Sequence, residues 1–235
     1  MLDLSPSVYI IFGADFLLAV WLFMKAAHYS RPVLVIITLW TILQSAVGLS
    51  GFYSDMHTMT GRFFLLVLPP LIFLIVLFVT PKGKAFIDGL NIRMLTIFHI
   101  IRIPVEIVLF LLFVHHAIPK AMTFEGANFD ILSGLTAPLV YYFGFVKNKL
   151  GKQVLLAWNI ACILLLLNVV RNAALSLPER FHQFGFEQPN IAVGYFPFLL
   201  LPSCLVPLVL FSNLAAIRLI IRGNQFHPPR PRKIL

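Results

Sequence analysis

Apolar residues along this chain fall into long runs with few polar interruptions, without the two-residue or 3.6-residue alternation of half-buried strands and helices in soluble domains. Seven runs stand out, over 7–27, 33–52, 63–80, 90–114, 129–146, 153–175 and 191–221. A helix needs about 20 apolar residues to cross a hydrocarbon layer ~30 Å thick, so each run reads as a membrane crossing. The expected fold class is all-α: a polytopic integral membrane protein, a bundle of about seven transmembrane helices forming one domain over 1–222, followed by a tail at 223–235. The third run is short and holds Pro69-Pro70. The seventh exceeds one crossing and holds Pro197, Pro202 and Pro207, which predicts a kinked helix or one preceded by an interfacial segment.

The polar positions between the runs set the orientation. Thirteen Lys and Arg collect on one side (Lys25, Arg31, Lys82, Lys84, Arg93, Lys147, Lys149, Lys152, Arg218, Arg222, Arg230, Arg232 and Lys233) and three on the other (Arg62, Lys120 and Arg180). The excess of basic residues marks the cytoplasmic face, so the N-terminus is expected outside and the C-terminus in the cytoplasm. The first run lacks the positive flank of a cleavable signal peptide and is expected to be an uncleaved anchor. Compact loops suggest a bacterial cytoplasmic (inner) membrane.

Composition agrees with this reading and narrows it. Sixty per cent hydrophobic residues, 11% charged residues and a mean hydropathy of +0.92 leave no room for a separate water-soluble domain. The net charge of +9 sits in loops and in the Pro-rich tail, so it orients the chain and gives the tail a surface of anionic lipid to lie on. Nucleic acid is not an expected partner; the lipid bilayer is, together with a small-molecule ligand from the outer side, a partner membrane protein or a second copy. Cys162 and Cys204 lie inside apolar runs with no CxxC spacing, which indicates buried thiols.

Chemistry concentrates in one place. In HIIRIPVE, His99, Arg102 and Glu106 interrupt the fourth run. On a helix the three lie within about 60° of one another and form one polar stripe, with Glu106 ~13 Å below the outer end. Charges at bilayer depth are costly and mark ion or substrate pathways, or hold helices together as a structural pair. Pro104 frees a carbonyl near Ile100 and is expected to bend the helix at the stripe. Asn168, Arg171 and Asn172 form a second stripe on the sixth run, and Asp15 and Asp130 bring carboxylates from the first and fifth. Together these residues predict a polar cavity opening outward among the first, fourth, fifth, sixth and seventh helices, with a nearly apolar inner half.

Other motifs carry less. His115 and His116, with Glu125, are weak candidates for a metal site, since adjacent helical residues point about 100° apart and no HxxxH spacing exists. No cofactor is expected. GLSGF, Gly48 to Phe52, resembles over five residues the GxSG motif of rhomboid intramembrane proteases, which implies a nucleophilic Ser50 and a histidine on a later helix. The deep candidate, His99, sits in FHIIR, outside the small-residue context that family uses. Seven spans with an outside N-terminus also resemble rhodopsins, but the last run has no lysine for a retinal Schiff base.

The expected function is a small-solute transporter or permease with Arg102 and Glu106 at its centre and His99 as a relay inward. A non-transporting ligand sensor or assembly partner is the alternative. An intramembrane enzyme with Glu106 as base ranks third, because no nucleophile and base stand at a suitable spacing.

Overall fold

The computed structural model describes residues 2, 4–55, 59–178 and 188–223. All regular structure among them is helical. Six helices are long and apolar enough to cross a membrane (Pro6–Ala26, Arg31–Leu49, Gly61–Val79, Ile92–Val114, Lys152–Leu175 and Leu201–Arg222), and a further apolar helix, Ile131–Val146, is shorter. The chain is a helical membrane protein. Apart from Gly223, the basic tail lies outside the described residues.

Helix α1 (Pro6–Ala26) starts on Pro6, whose fixed φ suits a first helical position. It reverses into α2 (Arg31–Leu49) through His28 and Tyr29, both in the left-handed region. Helix α3 (Met59–Val79) continues through Pro69 and Pro70. It starts earlier than the apolar run suggests, with Met59 buried and its methyl group beside Gly194. Thr80 and Pro81 then turn the chain into the short α4 (Pro81–Asp88), the threonine hydroxyl accepting from the Gly83 amide. Asn91 caps α5 (Ile92–Phe98) through the amides of Arg93 and Met94.

Helices α5 and α6 (Arg102–Val114) are one crossing, broken by a 3-10 turn at His99–Ile101. The break falls where Pro104 withholds the amide that would have bonded Ile100, as the sequence predicts. A loop leads to α7 (Ile131–Tyr141), which holds Pro138 and ends in a π-helical turn, Tyr142–Val146. Helix α8 is Lys152–Leu175, and α9 (Val206–Arg222) follows a π-helical turn at Leu201–Leu205.

Two expectations need correction here. The seventh run is not helical from 191: residues 191–200 form a 3-10 turn at Ala192–Gly194 and further turns, and continuous helix begins near Leu201. Its prolines explain this, since Pro197, Pro202 and Pro207 each remove an amide from the ladder. The missing amide of Pro207 leaves the Ser203 carbonyl open, and Trp40 Nε1 donates to it at 2.8 Å, tying α2 to the start of this segment. The second run also stops short, its helix ending at Leu49. There Gly48 lies so close to Leu199 that a Cβ would stand 2.0 Å from its Cδ2. Ser50 is exposed and donates to the Val47 carbonyl, which supports close packing and helix termination at GLSGF.

The core lies between α1, α5 and α9. Phe23 meets Phe98 and Phe211 edge-on at 5.9 and 5.8 Å, and Phe12 stands 5.3 Å from Phe198. Helix α9 is central, with 61% of its apolar window buried, whereas α3 has 11% buried and stands at the periphery.

The basic segments meet at one end of the bundle. Arg218 and Arg222 both pair with Asp88, Lys152 donates to the Ile221 carbonyl, and the Asn91 amide donates to Ala26. At the opposite end Ala117 accepts from the amides of Ile191 and Ala192, and Asn190 donates from its amide to Ser176.

Candidate functional site

The stripe on the broken crossing is fully buried: His99 is 0% exposed, Arg102 2% and Glu106 1%. Among the described residues Arg102 leads the fully buried side chains in size. What meets the stripe is the loop between α6 and α7. His116, at φ +59°, turns the chain back, and Ala117, Ile118 and Met122 are buried as the loop descends. Irregular backbone at membrane depth is tolerable only where protein covers it and satisfies its polar groups.

Asn128 does much of that satisfying. One amide nitrogen donates to the Met122 carbonyl at 3.0 Å and to Glu106 Oε1 at 2.5 Å, while its Oδ1 accepts from the Asp130 amide. Asp130 then stands at the N-cap position of α7, where its carboxylate makes no capping bond and instead takes an ion pair from Arg102 Nη1 at 2.5 Å. Arg102 Nη1 also donates to the Cys162 carbonyl of α8 at 3.2 Å. Glu106 lies eight residues before the end of α6, so Asn128 and Asp130 reach a depth of about 12 Å.

Three structural consequences follow for the sequence reading. The partner of Arg102 is Asp130, whereas Glu106, four residues along the same helix, is held by Asn128. Asp130 therefore lies at the depth of the stripe, well below the end of α6, and α7 begins inside the bundle. Asn128 itself is the residue sequence reasoning missed. Its signal was faint: an Asn two residues before the Asp that opens a helix, the usual spacing of an Asx turn.

Small residues let α7 come this close. Ser133, Gly134 and Ala137 form its buried face. A Cβ on Gly134 would stand 2.8 Å from Ile103 Cγ1 and 3.1 Å from the Ile103 amide nitrogen. The glycine sits against the 3-10 break, so the bend and the close approach form one feature.

A cleft reaches this cluster. It holds about 750 Å³ of empty space, its open mouth included, and is lined by Arg102, Glu106 and Asp130 together with apolar side chains of α3, α6, α8, α9 and the turn before α9. Apart from those three residues its lining is apolar. Arg102 Nε and Nη2 and Glu106 Oε2 are buried without a hydrogen-bond partner.

The remaining candidates stand elsewhere. Asn168 and Asn172 on α8 donate to the Ala127 and Ala121 carbonyls at 2.6 and 3.2 Å, which ties the descending loop to α8. Arg171 is exposed. Asp15 is 2% exposed with neither carboxylate oxygen partnered, but α1 contributes nothing to the cleft. His99 is also unpartnered and stands edge-on to Trp158 at 5.5 Å. His115 and His116 are exposed, His116 pairs with Gln188, and Glu125 lies 4.0 Å from Lys120. Among the described residues no three His, Cys, Asp or Glu side chains gather as a metal site would require. His182, a further possible ligand, lies outside them.

A family model described as a domain of unknown function, DUF8737, matches residues 61–221. That stretch holds Arg102, Glu106, Asn128, Asp130 and every residue lining the cleft. No curated protein and no solved structure matches the chain.

Proposed function

We propose that this chain, which belongs to the DUF8737 family of domains of unknown function, is a membrane transporter or permease for a small molecule, with the Arg102, Asp130 and Glu106 cluster as its central site. The observation that carries the reading is a cleft ending on charged atoms without protein partners at bilayer depth. A pair that only joined helices would have its donors and acceptors satisfied within the protein, because bare polar atoms in a low-dielectric interior are costly. Here Arg102 keeps two nitrogens and Glu106 one oxygen for something else.

In this reading Asp130 fixes the guanidinium, Asn128 fixes the Glu106 carboxyl, and the loop that carries both is the part that responds to the ligand. Seven passes with the N-terminus outside fit it, supported by the gathering of basic segments at one end of the bundle. A bacterial inner membrane is the setting proposed.

Glu106→Gln tests the reading. The amide keeps an oxygen for Asn128, so folding stability should stay within about 1 kcal/mol of wild type. Flux through proteoliposomes, read as currents on a supported membrane across a panel of small amines, acids and polyols, should be lost. Collapse of expression and stability on this change would instead make the cluster a structural joint.

A further inference from the structure

The cleft has a roof and an open side. At the end nearer the α6–α7 loop its lining residues Phe63, Met122 and Val193 are buried. Along its length Val67, Val170 and Val206 are half-buried, so the cleft meets the protein surface between α3 and α8. The sequence neighbours of the lining residues Val67 and Leu166 are apolar and exposed, Leu68 at 47% on α3 and Leu167 at 50% on α8. In a membrane that mouth opens onto lipid tails.

Charge selects the other end of the occupant. Asp130 is taken up by Arg102, which leaves the Glu106 carboxylate as the group without a cationic partner. With every group ionised, two carboxylates face one guanidinium, and an acidic head would add a third negative charge at short range. An ammonium on Glu106 Oε2 restores the balance, and the bare Arg102 nitrogens suit an oxygen on the same head. The lining on α8 runs from Leu166 to Ala173 and on the last segment from Leu201 to Val209, about 10–12 Å of apolar wall.

We propose that the cleft takes an amphiphile with a cationic amine head and an apolar tail, entering sideways from the bilayer between α3 and α8. This rests on the cluster being a ligand site, as argued above, and names the class of ligand.

The test is thermal unfolding of the full chain in phosphatidylcholine nanodiscs with dodecylammonium, dodecanol, dodecanoate or methylammonium. Dodecylammonium at about ten times its Kd should raise Tm by about 3–6 °C, with the other three giving no comparable shift at equal concentration. Glu106→Gln should abolish the shift. Val170→Trp, which fills the wall and leaves the charged floor intact, should abolish it too and guards against a misfolded floor variant. An equal shift with methylammonium overturns the amphiphile proposal while leaving a small-solute transporter standing. An amine shift sensitive to Glu106→Gln, without flux in proteoliposomes, supports the amphiphile site and removes transport. Equal stabilisation by dodecanoate or dodecanol, or no shift with any probe, overturns the proposal.

Discussion

Removing the carboxylate of Asp130 leaves Arg102, 2% exposed, with the Cys162 carbonyl as its remaining hydrogen-bond partner. Breaking a buried pair from one side typically costs about 3–5 kcal/mol, because the other charge stays in the interior uncompensated. At roughly 2–4 °C per kcal/mol for a chain of this size, Asp130→Leu should lower Tm by about 6–20 °C. Arg102→Met should cost a similar amount by stranding Asp130 beside Glu106. The double variant, Arg102→Met with Asp130→Leu, should return to within about 1–2 kcal/mol of wild type, since apolar residues of similar volume often replace a buried pair without loss. Unfolding followed by intrinsic fluorescence of Trp21, Trp40 and Trp158 in detergent gives all four values. Near-additive losses would refute the pairing, because uncoupled sites add to within about 0.3–0.5 kcal/mol. A double variant that regains stability but not ligand response separates the function of the pair from its structural role.

Other parts of the architecture make their own predictions. Asn128→Leu removes the bonds to Glu106 and Met122 and should destabilise by about 2–4 kcal/mol, with faster amide exchange across 120–130 in deuterium-exchange mass spectrometry; unchanged exchange would contradict the anchoring role. Gly134→Val drives a side chain into Ile103 and should cost about 2–3 kcal/mol or more, read as lost Tm, whereas a neutral result would mean α7 and the 3-10 break are not in close contact. Asp88→Asn weakens a partly exposed bridge to Arg218 and Arg222 and should cost about 1 kcal/mol or less, an effect that shrinks as salt is added; a larger, salt-insensitive loss would indicate a buried role.

The helical architecture was legible because hydrophobic run length is a local property, and so was the break at His99–Ile101, because Pro104 removes a specific amide. The stripe was legible too, since three polar residues in an apolar run need only helical spacing to share a face. Its partners were not. The depth of Asp130 depends on a loop that folds inward after Val114, and that fold rests on the αL turn at His116, the Asx turn at Asn128 and the tethers from Asn168 and Asn172. The two turns are local, but the tethers join residues 41 and 51 positions apart, which no local pattern shows. The asparagines on α8 looked like site residues for the same reason: their polarity was visible and their loop carbonyl partners were not. The start of the last helix near Leu201 was half legible, since its prolines announced an interruption without locating it.

The most direct test of transport through this cluster is accessibility from each side of the membrane. Cys162 and Cys204 are first replaced, and single cysteines are placed at Val105, beside Glu106, and at Ile101, one turn further in. Both positions line the cleft. Right-side-out and inverted vesicles are then treated with an impermeant thiol reagent. The account predicts labelling of both positions from either side, with the ligand shifting the balance between them. Labelling from one side alone would contradict transport and leave a blind binding site.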